Sequence, residues 1–281
     1  MNYKFFELQN VEGVGVVTIN KPPANTMNSS FTDELKHLVS RMDNAPDIRC
    51  VLFKSAIKKF FSAGADLTDI PSDIPPEAAA SMDQAQLVKQ MIKGLATKVG
   101  DIFAEVHQTF NMVETMRKPT IAAINGHALG GGLEFAMSCD FRFMGRNSGT
   151  IGLPEIRLGL LPVAGGTQRL PRLIGRSKAL EFMLEGSRIS ADEALSLGLV
   201  NRVFEAEELE KESLSYAKKL ARGATYSMGL IKKCVNTGRD RGIPEGLKEE
   251  RAAAVELVQT EDFFEGLMCF LEKRQPEFKG K

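Results

Sequence analysis

The sequence lacks the features that mark a protein drawn to a charged polymer, a membrane or an oxidising compartment. Its 36 basic and 36 acidic residues cancel, so no global field attracts DNA, RNA or an anionic bilayer. Cysteine is scarce. Cys50, Cys139, Cys234 and Cys269 are scattered, with neither the CxxC spacing of a zinc site nor the density of a disulfide scaffold, and a reducing compartment is expected. The opening MNYKFFELQNVEGVG has no apolar signal core and carries acids, unlike a transit peptide, and no apolar run approaches the length that spans a bilayer. The expected location is therefore the cytoplasm. GxGxxG, a GK[ST] phosphate loop, solenoid repeats and low-complexity tracts are all missing.

What is present is an ordinary globular composition. With 281 residues and 43% hydrophobic content, the chain is long enough to bury a large core. Val14 to Ile19 and Cys50 to Phe53 read as strands, and Tyr3 to Leu8 as a strand opening the sheet. Between them Ser30 with Asp33 predicts a capping-box start for a helix whose Phe31, Leu35, Leu38, Val39 and Met42 share one face. The stretch PSDIPPEAAASMDQ reads as a connector. From Met82 to about Met116, Leu87, Met91, Leu95, Val99, Ile102, Val106, Phe110 and Val113 recur at helical steps, with Gly94 and Gly100 as points of breakage or bending.

PTIAAINGHALGGGLEFAMSCDFRFMG then reads as buried strand, glycine-rich turn, helix and strand. Ser177 to Leu184 predicts a helix, and Ser190 with Glu193 a second capping box, for a helix ending near Gly198. Nearly everything from Glu205 onward reads as helical. The alternation predicts an α/β fold, with a core over residues 1–204 and a helical C-terminal region over 205–281.

Three segments carry candidate chemistry. In GHALGGGLEFA, glycines just ahead of a helix let backbone N–H groups approach a ligand and suit a developing oxyanion; a tight turn accounts for them about as readily. Glu134 follows in the first helical turn beside apolar Phe135, Ala136 and Met137. It is either a helix-dipole residue or a catalytic acid. Glu155, in TIGLPEIRLGLLPVAGGTQRL, is bracketed by apolar residues, proline and glycine, and reads either as a partner of Arg157 or Arg169 or as an acid with a raised pKa. FFSAGADL gives a loop of small side chains open to backbone contact, or a compact turn in which Asp66 caps a short helix.

Together FFSAGADL, INGHALGGGLEFAMSCD, GLPEIRLGLLPVAGGTQRL, KPPANTMN, RISADEALSLGLV and TEDFFEGLMCFLEKRQPEFKGK resemble the enoyl-CoA hydratase/isomerase family, the crotonases, in order and spacing across essentially the whole chain. The resemblance implies a spiral of strand-strand-helix units with a helical C-terminal region that makes homotrimers, often paired as homohexamers. It implies an enoyl-CoA hydratase, a hydro-lyase acting on a 2-enoyl-CoA thioester. Coenzyme A is then part of the substrate, and neither a separate cofactor nor a metal is expected. It places an oxyanion hole at the N–H groups of Ala65 and Gly131, a coenzyme A contact loop at Ala63, Ala65, Asp66 and Leu67, water activation at Glu134 and proton delivery to the α carbon at Glu155.

The chain departs from the pattern in two places. The stretch from about Ile70 to Val106 is extended, which reads equally as a surface or oligomer insertion and as a shaper of the acyl pocket, with branched or cyclic acyl groups as a refinement. Val163 stands where many members carry glycine, near the expected water site. His127 reads as a solvent-facing loop residue and His37 and His107 as helix residues. Met82, Met91, Met112 and Met116 read as packing, and the pairs Lys58, Lys59 and Lys232, Lys233 as solvated faces. The rival readings are a crotonase-fold isomerase, hydrolase or decarboxylase, and a noncatalytic acyl-CoA- or RNA-binding protein; neutral charge and the two acids disfavour the last.

Overall fold

The fold was taken from a computed structural model, which describes residues 3–66 and 81–281. The first half contains β1 (Phe6–Val11), β2 (Val14–Ile19), β3 (Thr26–Met27), α1 (Ser29–Asn44), β4 (Cys50–Ser55), β5 (Phe60–Ser62), β6 (Gly64–Ala65) and α2 (Gln84–Thr115). Then come β7 (Thr120–Ile124), β8 (His127–Leu129), α3 (Gly131–Ser138), β9 (Phe141–Arg146), β10 (Ile151–Gly152) and a 3-10 turn over Glu155–Leu158. They are followed by α4 (Gly166–Ile174), α5 (Arg176–Glu185), β11 (Arg188–Ile189), α6 (Ala191–Ser196) and β12 (Arg202–Glu205). The C-terminal helices are α7 (Leu209–Ala221), α8 (Thr225–Arg241), α9 (Ile243–Leu257) and α10 (Glu261–Glu272).

Among the described residues, a six-stranded sheet runs β1-β2-β4-β7-β9-β12 and a four-stranded sheet runs β11-β10-β8-β5. Only β1 is antiparallel in the larger sheet. The chain repeatedly leaves a strand of the larger sheet for one of the smaller: β4 leads to β5, β7 to β8, and β9 to β10. These are the expected strand-strand-helix units. The glycine-rich segment after β7 is thus more than a turn, because His127–Leu129 pairs with β5 and β10 before the helix begins.

Period-two alternation sends successive strand residues to opposite faces. Val51 and Phe53 enter one core with Phe31, Leu35, Phe61 and Phe135. Cys50 and Leu52 enter a second core, closed by Leu209, Ala217 and Ala221 of α7. Central β7 is buried along its whole length, as expected of a strand covered on both faces.

The predicted face of α1 is buried at all five positions. Its cap is not Ser30, however. Asn28 sits in extended backbone and accepts from the Phe31 N–H at 3.0 Å, which puts Ser30 inside the first turn. The capping box of Ser190 and Glu193 forms as expected. Gly94 and Gly100 leave α2 unbroken over 32 residues; each glycine costs only about 1 kcal/mol in a helix, and a capping box between Asp83 and Gln86 secures the start.

Two surface expectations fail. Lys232 is not a solvated face, since its ammonium pairs with Asp140 at 2.6 Å and donates to the Lys118 carbonyl at 2.8 Å. His127 is half-buried on β8, with its ring against Phe60 and its Nδ1 3.0 Å from the Thr150 hydroxyl. Most of PSDIPPEAAASMDQ, and the first part of the stretch from Ile70, lie outside the described residues.

Phe135 ties α3 to the first core, its ring 5.1 Å from Phe53 and 5.5 Å from Phe110, centre to centre, and fully buried. Phe135→Ala should therefore destabilise the fold by about 3–5 kcal/mol, measured by urea unfolding; a loss below 1 kcal/mol would show that α3 is not anchored this way.

Candidate active site

The site grows from a close approach of two backbone segments. A Cβ on Gly132 would lie 2.4 Å from the Ser62 carbonyl oxygen, and one on Gly64 would lie 2.6 Å from the Leu129 carbonyl oxygen. Only glycine allows the first turn of α3 to sit this close to the segment 62–65. Gly130 supplies the positive φ, +52°, that turns the chain from β8 into the helix.

This approach brings two N–H groups together. Gly131 opens α3, so its N–H has no acceptor within the helix. Asp66 N–H donates to Met27 at 2.8 Å, and alternation along the strand turns the Ala65 N–H the other way. The Ala65 nitrogen lies 3.7 Å from where a Cβ on Gly131 would stand. Ala65 itself is exposed, and Ala63 and Gly131 are half-buried.

The Asp66 carboxylate instead pairs with Lys21 at 3.1 Å and accepts from the Thr26 hydroxyl at 2.8 Å. That ties the loop to β3. Leu67 lies outside the described residues.

Glu134 is buried in the first turn of α3, 2% exposed, and its Oε1 accepts from the Gly166 N–H at 2.7 Å. Burial pushes its carboxyl up to about 8, opposed by the Gly166 N–H and reinforced by the nearby charge of Glu155. Glu155 begins the 3-10 turn with its Oε1 3.0 Å from where a Cβ on Gly130 would stand. Burial raises its pKa too. Its buried Oε2 receives no hydrogen bond from another described residue.

Among the described residues, neither expected ion-pair partner pairs with Glu155. Arg169 pairs with Glu114 at 2.8 Å, and Arg157 lies along Gly186. Val163 is half-buried in the turn before α4, and its carbonyl accepts from His107 Nε2. His107, Glu114 and Asn111 on α2 are the site neighbours that the sequence did not single out. Their helical spacing placed them on α2, but nothing local showed that this face meets the turn 162–166. Among the described residues, no group of three or more His, Cys, Asp or Glu side chains is placed to hold a metal ion, and no helix is long and apolar enough to cross a membrane.

The structure thus sets buried Glu134 and half-buried Glu155, both of raised pKa, near the backbone N–H groups of Ala65 and Gly131, an arrangement suited to acid/base chemistry. The enoyl-CoA hydratase/isomerase family pattern matches residues 9–281, and the chain belongs to that family. It is an enzyme of the enoyl-CoA hydratase type and has the crotonase fold. It is 38% identical to the short-chain-enoyl-CoA hydratase of Clostridium acetobutylicum, over 98% of this chain and all of that one. It is 35% identical to the crotonyl-CoA hydratase of Syntrophomonas wolfei over the full length of both. A crystal structure of an enoyl-CoA hydratase from Geobacillus kaustophilus superposes with a TM-score of 0.86 at 35% identity, covering 100% of this chain and 98% of that one.

The raised pKa of Glu134 makes stability depend on pH. Between the ordinary value of 4.5 and about 8, the folded chain binds a proton that the unfolded chain has lost, so Glu134 lowers stability as pH rises through that window. Glu134→Gln should flatten the curve, gaining on the wild type by a few kcal/mol (about 1.4 per pH unit) between pH 5 and 9. Urea midpoints measured across this range check it; parallel curves for the two proteins would refute it.

Proposed function

We propose that the protein adds water across the double bond of a 2-enoyl-CoA thioester. The observation that carries the reading is the placement of Glu134 and Glu155 around the first turn of α3, next to the Ala65 and Gly131 N–H groups. In this reading those two N–H groups bind the thioester oxygen, which makes the β carbon electrophilic and holds the enolate. Glu134 orients and deprotonates the attacking water, and Glu155 delivers a proton to the α carbon.

The chemistry needs one of the two carboxyls ionised and the other protonated. Burial raises both pKa values, and the charge of Glu155 further disfavours ionised Glu134, which favours one shared proton over two negative charges. A water held between them would pass the proton from Glu134 to Glu155 before attack. Ala63, Asp66, Leu67 and Val163 are assigned to substrate contact: the first three through the loop that meets coenzyme A, Val163 through the wall of the water site.

Crotonyl-CoA is the first substrate to test, given how the relatives are named; branched and cyclic enoyl groups follow from the long segment that includes α2. We assign the region 205–281 to assembly as a homotrimer or homohexamer, and the cytoplasm as the place of action. Ile243, Phe264 and Phe270 on α9 and α10 are 74%, 66% and 80% exposed, large apolar side chains that a second copy would cover. An apolar concavity of about 290 Å³ between α8 and α10, which Phe263 and Leu267 line, touches neither glutamate.

A panel of linear, branched and cyclic 2-enoyl-CoA esters, followed by mass spectrometry, tests the reading. Water addition is expected with at least one ester, and both Glu134→Gln and Glu155→Gln should lower the rate by roughly a hundred- to ten-thousandfold. A double-bond shift or release of coenzyme A without hydration would replace the reading with an isomerase or a hydrolase.

A further inference from the structure

The turn 164–166 that holds Glu134 is itself held by a buried arginine. Arg169 is 8% exposed, and its Nη1 donates to the Ala164 carbonyl at 3.2 Å. A Cβ on Gly165 would lie only 2.1 Å from that nitrogen, so the guanidinium is wedged under the turn whose next N–H, that of Gly166, binds Glu134. Arg169 Nε and Nη2 both donate to Glu114 Oε2, at 3.0 and 2.8 Å, and Nη2 donates to Asn111 at 2.7 Å. Glu114 Oε1 accepts from Arg239 of α8. One carboxylate on α2 therefore joins the turn over Glu134 to the C-terminal helices.

We propose that Glu114 is a positioning residue for the Glu134 carboxyl: it fixes Arg169 under the turn 164–166 and balances a cation that would otherwise favour ionised Glu134. The proposal rests on the hydratase reading above. Among the described residues, the charged groups acting on Glu134 are Glu155, from the 3-10 turn, which opposes its ionisation, and Arg169, from α4, which favours it. His107, from α2, reaches the same turn at the Val163 carbonyl, where a ring nitrogen can act only as donor. Glu114 acts indirectly by setting where Arg169 sits and how much net charge it presents. Removing Glu114 leaves the buried Arg169 cation uncompensated beside the turn, whereas removing Arg169 takes that cation away while Glu114 keeps Arg239, so the two single neutralisations should push Glu134 in opposite directions.

The test is hydration kinetics against pH for the wild type, Glu114→Gln, Glu114→Asp, Arg169→Gln, the double variant Glu114→Gln/Arg169→Gln, and Glu134→Gln. Glu114→Gln should lower kcat by about tenfold to a hundredfold with KM little changed, the scale of a misplacement near the chemistry. Its kcat–pH limb should move to lower pH, and that of Arg169→Gln to higher pH. Glu114→Asp, which keeps the charge, should bring the limb back towards wild type. The double variant buries no lone charge and serves if Glu114→Gln fails to fold; its limb should lie near the wild-type position while kcat stays low. Unchanged kcat in the double variant, or a fall in kcat with an unmoved limb in the single variants, overturns the proposal and leaves the hydratase reading standing. Wild-type hydration by Glu134→Gln overturns both.

Discussion

The backbone of residues 62–65 lies against the first turn of α3 at a separation that admits no side chain, and the rest of the site depends on that contact. A Cβ on Gly132 would collide with the Ser62 carbonyl, so a larger residue there would push the two segments apart. Moving them apart would separate the Ala65 and Gly131 nitrogens and lift Glu134 from its buried position. Two neighbouring strands of the smaller sheet hold the contact: β5 delivers Ser62, and β8, its parallel neighbour, leads into Gly130. Helix α3 is then locked from below by Phe135 among Phe53, Phe61 and Phe110.

Burying an acid on such a rigid element has an energetic cost, and the structure offsets only part of it. Glu134 receives a backbone N–H from Gly166, yet desolvation still dominates and keeps the carboxyl's pKa high. Burial raises the pKa of Glu155 as well. A carboxyl whose burial outweighs its hydrogen bonds keeps an affinity for a proton that suits acid/base chemistry. The neighbouring cation is kept in check: Arg169 is committed to Glu114 and Asn111 on its far side, so it braces the site without dominating its charge.

Most of the architecture was legible because its signals are local. The apolar stripe of α1, the alternating strands, the capping box at Ser190 and the glycine run before Glu134 each express a short-range rule of backbone geometry. Failures occurred where the deciding partner is distant in sequence. Lys232 looked solvated until Asp140 met it across the fold, and Asn28 displaced Ser30 as a cap because the strand pairing of Thr26 and Met27 sets where the chain enters α1. Gly94 and Gly100 weaken a helix without forbidding it, so their presence alone did not decide the fate of α2.

For the site itself, the sequence by itself determined the chemical inventory: two acids in apolar surroundings, glycines before a helix, and a loop of small residues in the order of a hydratase family. It left each of them with an ordinary alternative, since a helix-dipole acid and a catalytic acid look the same from their immediate neighbours. Tertiary structure alone decided that Arg169 belongs to Glu114 rather than to Glu155, that Glu134 binds the Gly166 N–H, and that the Ala65 and Gly131 nitrogens lie together. The physical reason is that charge pairing, desolvation and close backbone approach act across space at a few ångströms, between residues that the chain holds far apart in order.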